Sequence, residues 1–193
     1  GGVPRIPLTV GTSTVYAAYS SQDLSKSQMY FTYTVQPGDE DADGIAIGAA
    51  ISPNGGTIED AAGNALIPTL TETDTAGIRI DAIQPHVTEV SVPTDATYIA
   101  GQHLDFVVKL SEPVTVSGTP TLDLTVGGSA RTAAYMAESS TATELAFRYP
   151  VASGDLDTDG VSVAGSIGLT GGSAIRDAAG NDALPTLQGV GRT

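Results

Sequence analysis

Six aspartates carry the most specific chemistry in the chain. They stand as Asp39, Asp41 and Asp43 followed by Gly44, and again as Asp155, Asp157 and Asp159 followed by Gly160. Alternate carboxylates on a curled loop can converge on one hard cation, and calcium takes roughly six to eight oxygen ligands. The glycine after the third acid lets such a loop bend sharply. The spacing matches the opening of an EF-hand loop, but the twelfth position is Ala50 or Ser166, where that loop needs Glu. Any remaining ligands would then be carbonyls, waters or distant carboxylates. The competing reading is a polar hairpin loop in which Asp and Gly serve turn geometry. Three like charges within five residues repel one another, and the expectation is therefore calcium at both triplets.

Weaker candidates surround these loops. Asp60 and Asp177 each open an Asp-Ala-Ala-Gly-Asn block ending at Asn64 and Asn181. Their carboxylates could ligate calcium, but the favoured reading is an Asp that caps a short turn while Gly-Asn supplies positive φ. Glu72, Asp74 and Asp81, with Glu89 just beyond, would suit an ion at a domain junction, or form a solvated acidic linker. The chain has two histidines, His86 and His103, and both read as surface residues rather than general bases. No nucleophile elbow, zinc-protease helix or phosphate loop occurs. Among 22 acidic residues, any glycosidase-like pair would be arbitrary. A Lys–Asn crosslink would need Lys26 or Lys109, and neither lies at an inward position. Catalysis is not expected.

The balance of charge narrows the partners. Lys and Arg number 8 against 22 Asp and Glu, a formal charge of −14, and 15 of the acids are Asp. A phosphate backbone or an anionic lipid surface needs clustered cations, so nucleic acid and membrane adhesion are disfavoured. No apolar run is long enough to span a bilayer, and no stretch reads as a signal peptide. Cysteine is absent, so no disulfide or zinc–thiolate site can stiffen the fold.

The elements that must position these residues are strands, arranged in a repeat. Residues 4–57 align with 120–173, and residues 58–70 with 175–187; of 67 aligned pairs, 29 are identical. Shared blocks include Leu8-Thr-Val-Gly11 with Leu124-Thr-Val-Gly127, Ala17-Ala-Tyr19 with Ala133-Ala-Tyr135, both Asp triplets, and Pro68-Thr-Leu70 with Pro185-Thr-Leu187. Residues 85–118 have no counterpart in the first copy. Within the second copy apolar residues alternate: Leu104, Phe106, Val108 and Leu110; Leu122, Leu124 and Val126; Leu145, Phe147, Tyr149 and Val151. A period of two means half-buried antiparallel strands, and turn signals every 8–12 residues mean a sandwich or barrel. The expectation is an all-β fold of tandem immunoglobulin-like sandwiches. Residues 1–80 would form a partial repeat lacking its N-terminal strands, and residues 81–193 a complete one.

The motifs Ala100-Gly-x-x-Leu-x-Phe-x-Val108, Ser111-Glu-Pro-Val114, Gly118-Thr-Pro-x-Leu-x-Leu124, the Asp triplets and Ile-x-Asp-Ala-Ala-Gly-Asn together resemble bacterial Ig-like repeats. Such repeats form tandem extenders in very large secreted, calcium-dependent surface proteins and adhesins. The resemblance implies an extracellular structural spacer whose partners are adjacent repeats. Two other functions compete with it. The chain could be a subunit of a filament or surface layer completed by strands donated from a neighbour. It could also be a glycan-binding module using its freer tyrosines, Tyr16, Tyr30 and Tyr98.

Overall fold

The computed structural model describes residues 2–25, 27–71 and 73–187, together with the backbone of residues 191–192. The fold is all-β and sandwich-type, and the one helical piece among the described residues is a short 3-10 turn, Ala137–Ser139. The chain divides into two compact units, Gly1–Ile83 and Gln84–Thr193.

The first unit contains β1 (Arg5–Val10), β2 (Ser13–Asp23), β3 (Gln28–Thr32), β4 (Glu40–Asp41), β5 (Ala46–Ile47) and β6 (Ile80–Asp81). Four of them form an antiparallel sheet in the order β3-β2-β1-β5, and β4 pairs with β6. The second unit contains β7 (Val87–Ser91), β8 (His103–Leu110), β9 (Thr115–Ser117), β10 (Thr121–Val126), β11 (Ser129–Tyr135), β12 (Glu144–Pro150), β13 (Ser162–Gly168), β14 (Ala174–Arg176) and β15 (Gly191–Arg192). Its main sheet runs β13-β10-β11-β12-β8-β7-β15, antiparallel except for the β15–β7 pair. A two-stranded sheet, β9 with β14, contributes Ile175 and Val116 to the same core.

Alternation explains which side chains enter that core. In β8, Leu104, Phe106, Val108 and Leu110 are buried, while Asp105 lies outside and pairs with Arg148 on β12 (2.6 Å). The opposed pairs Leu104–Tyr149, Phe106–Phe147 and Val108–Leu145 bring the inward faces of β8 and β12 together. Directly opposed side chains of this kind are the unit of sheet stabilisation. The β10–β11 hairpin turns on Gly127 (φ 54) and Gly128 (φ 75), the two positive φ values a two-residue primed turn requires.

The repeat pairs β1, β2, β3 and β5 with β10, β11, β12 and β13, and the copies differ in what covers them. Leu145, Phe147 and Tyr149 of β12 are buried, whereas their equivalents Met29, Phe31 and Tyr33 are half-buried. Ala183 is 6% exposed, while its equivalent Leu66 is 41% exposed. The contiguous buried core lies in the second unit. In the first unit the buried apolar residues are Leu8, Val10, Ala17 and Ile51. The physical reason is a missing neighbour: among the described residues, no strand of the first unit occupies the place that β8 takes beside β12.

Candidate functional site

The two Asp triplets lie in the segments that follow β3 and β12; Asp41 falls in the short β4 while Asp157 lies in a loop, but the first two acids of both segments are held in the same way. The first acid braces the loop against the strand before it. Asp39 Oδ2 accepts the Tyr33 hydroxyl (2.6 Å) and the Gln36 amide (2.7 Å). Asp155 Oδ2 likewise accepts the Tyr149 hydroxyl (2.5 Å) and the Ala152 amide (2.9 Å). The second acid ties the loop to a hairpin 30 residues earlier. Asp41 is 3% exposed; its Oδ2 accepts the Gly11 amide (2.7 Å) and its Oδ1 the Gly44 amide (2.7 Å). Asp157 Oδ2 accepts the Gly127 amide (2.6 Å), and its Oδ1 accepts those of Gly160 (2.6 Å) and Asp159 (3.2 Å). The third acids, Asp43 and Asp159, are exposed.

One feature is not duplicated. Arg131, which stands where the first copy has Val15, donates Nε (3.0 Å) and a terminal nitrogen (2.7 Å) to Asp155 Oδ1. The Asp155 side chain is 4% exposed. The Tyr149 hydroxyl, the Ala152 amide and the Arg131 guanidinium together hold its carboxyl at about 2, below the ordinary value of 3.8. The Tyr33 hydroxyl and Gln36 amide lower Asp39 as well, and the Gly127 amide leads the lowering of Asp157.

A group with a depressed folded pKa contributes stability that is present above its unfolded pKa and lost as pH falls through its folded pKa. For Asp155 that window runs from just above 3.8 down to about 2. The melting temperature of the second unit should therefore drop as pH is lowered from about 5 to 2. Asp155→Asn should lower it at pH 7 and flatten that dependence. An acid limb as steep in the D155N variant as in the wild type would show that other groups set it.

As oxygen donors, the triplets suit a hard cation in chemical type. Their geometry is a different matter. Neither triplet brings three carboxylate oxygens within 4.8 Å of one another. Each loop turns its first two acids toward N–H and O–H donors of the protein itself.

The Asp-Ala-Ala-Gly-Asn blocks are closed turns. Asp60 Oδ1 accepts the amides of Ala62 (2.9 Å) and Asn64 (2.8 Å), and Oδ2 accepts the Asn64 side-chain amide (2.8 Å). Asp177 Oδ1 accepts the amides of Gly180 (2.7 Å) and Asn181 (2.8 Å), and its Oδ2 accepts the Asn181 side-chain amide (2.8 Å). Gly63 and Gly180 take positive φ, but Asn64 and Asn181 do not. The Asn is there to donate its side chain back to the Asp, a role that composition alone does not suggest. Of the linker acids, Asp74 accepts the Ala76 amide (3.0 Å), Asp81 that of Ile83 (3.2 Å), and Glu89 pairs with Lys109 (3.1 Å). Glu72 and Lys26 lie outside the described residues. His86 and His103 are exposed.

A cleft of about 500 Å³ in the second unit is lined by Pro93, Tyr98, Leu104, Phe106, Tyr149 and Asp155, among others. Tyr98 faces the core and donates its hydroxyl to the Thr94 carbonyl (2.9 Å), which fixes its own loop. Tyr16, 43% exposed, lies under the Arg5 guanidinium, 3.7 Å from ring centroid to carbon. Tyr30 is exposed on β3.

The residues that complete the loops, Tyr33, Tyr149, Gly11, Gly127 and Arg131, are absent from the sequence-based ligand set. A signal for the tyrosines was present: Tyr precedes the first acid by six residues in both copies. No family model, no curated protein and no solved structure matches the chain.

Proposed function

We propose that the chain is a structural spacer, a stretch of tandem extender repeats of a bacterial surface or secreted adhesin. The observation that carries this reading is the duplication itself: the same acid-to-hairpin closure is kept in both copies. What is repeated is a device for holding a loop still. A repeated unit that extends a stalk needs rigidity and solubility, and the charge of −14 serves the second. Antibodies raised against the chain should label intact cells of the source organism. Labelling that appears only after permeabilisation would exclude a surface spacer.

Calcium belongs to the proposal as an addition to loops that already close on protein hydrogen bonds. Its support is the doubled Asp-x-Asp-x-Asp-Gly spacing, with Asp39, Asp41, Asp43, Asp155, Asp157 and Asp159 as the acids concerned. Binding to the folded state alone contributes RT ln(1 + [L]/Kd), about 2.7 kcal/mol at a hundredfold excess over Kd. For a domain near 100 residues this raises Tm by about 10 °C or more. Calorimetry with millimolar calcium and with EDTA measures it directly. Superimposable melts would remove calcium and leave the spacer reading in place.

A further inference from the structure

The cleft in the second unit opens where β8 begins and β12 ends. Its walls are apolar: Val151, Val161 and Val163 line it and are partly buried against the core beneath. Tyr98, Phe106 and Tyr149 line it too, in a chain with only seven Tyr, three Phe and no Trp. Three carboxylates, Asp95, Asp155 and Asp157, complete the lining, and among the described residues no Lys, Arg or His joins them. The volume of about 500 Å³ falls within the roughly 300–1,000 Å³ of small-molecule sites, which are likewise mostly apolar with a few placed polar groups.

The two loop carboxylates bring charge to this cleft but almost no spare acceptor. A carboxylate offers about four lone-pair sites. Asp155 accepts two bonds from Arg131 on Oδ1, and those of the Tyr149 hydroxyl and the Ala152 amide on Oδ2. Asp157 accepts the amides of Asp159 and Gly160 on Oδ1 and that of Gly127 on Oδ2. The Tyr149 bond leads the lowering of the Asp155 pKa and the Gly127 bond that of Asp157, so both acids are ionised at neutral pH. Arg131 offsets one of these charges, and Asp95, exposed on the connection from β7 to β8, adds another. The cleft is therefore apolar and anionic at once.

Such a site repels an anion. A primary ammonium, which must donate N–H bonds, meets carboxylate oxygens that the protein's own donors have already taken, and an unmade bond carries a desolvation cost. A quaternary ammonium asks for no hydrogen bond. It needs negative charge, aromatic rings and an apolar wall, and such cations are attracted to ring faces within about 6 Å. We propose that the cleft is a binding site for a small quaternary ammonium compound with an apolar substituent. The charge of Asp95, Asp155 and Asp157 holds the head, and the aromatic rings and the valine wall receive the rest. The site lies wholly within the second unit, and the inference stands apart from the spacer reading.

The test titrates benzyltrimethylammonium into the isotope-labelled full chain of residues 1–193, at low salt and with EDTA present, and follows the amide resonances. Saturable shifts confined to residues 92–98 and 149–163 are expected, with a Kd of about 1 mM or tighter. Benzylammonium should bind at least about 3-fold more weakly, because its N–H groups find few open acceptors. Benzenesulfonate, which has the same ring and the opposite charge, should not bind. Asp95→Asn, an exposed change outside the acid-to-hairpin closure, should weaken binding of the quaternary probe about 2- to 5-fold. Four outcomes would overturn the proposal: no saturable shift up to about 10 mM probe, shifts spread over the acidic surface instead of the cleft, benzylammonium or benzenesulfonate binding as tightly as the quaternary probe, and an affinity unchanged by Asp95→Asn.

Discussion

Phe147→Ala should destabilise the second unit by about 3–5 kcal/mol, whereas Phe31→Ala should cost the first unit no more than about half as much. The two phenylalanines are repeat equivalents, so the comparison holds residue type, strand and sequence context nearly constant. Phe147 is 1% exposed, opposes Phe106 across the ladder, and sits 5.9 Å centroid to centroid from Tyr135. Truncating it removes transfer energy and leaves a cavity among neighbours that are themselves fixed. Phe31 keeps the equivalent ring contact, 6.0 Å from Tyr19, but lacks a strand on its other side. Water already reaches it, so less is lost. Guanidinium unfolding followed by hydrogen exchange in each unit separates the two effects. Equal costs would mean that the first unit covers Phe31 in solution as fully as β8 covers Phe147, and would direct attention to whatever covers it.

The second large effect is at a turn. Gly127→Ala should cost about 3 kcal/mol or more, and its neighbour Gly128→Ala only about 1 kcal/mol. Both glycines have positive φ, so both substitutions carry the left-handed penalty. Only Gly127 is pressed against another part of the chain: a Cβ built there lies 1.8 Å from the Leu156 carbonyl oxygen, while one on Gly128 meets nothing within 4 Å. Relief requires the hairpin and the acidic loop to move apart, which also pulls the Gly127 amide away from Asp157. The first copy repeats the close approach, with Gly11 against the Glu40 carbonyl at 2.5 Å. Matching denaturation midpoints for the two alanine variants would show that the loop yields easily and that its closure is weak.

The strands were legible because alternation is a local property. Leu104 to Leu110 and Leu145 to Tyr149 read as one-faced strands in sequence and are buried on that face in the fold. Burial itself was not legible in the first copy. Phe31 and Phe147, or Leu66 and Ala183, occupy matched positions, yet their exposure is set by strands distant in sequence. The acids were legible as a pattern but not as a geometry. Spacing says that three carboxylates share a short loop; it does not say that Gly11, Gly127 and two tyrosine hydroxyls claim them first. Arg131 was hidden for the opposite reason: it has no echo at Val15, and a repeat comparison passes over residues found in only one copy.

Each acid-to-hairpin closure has both of its ends inside one unit: Asp41 with Gly11, Asp157 with Gly127. A recombination event that adds or deletes a whole copy therefore carries both halves of the closure or neither. Under the proposed spacer reading, a change in copy number would alter length without leaving a severed half behind.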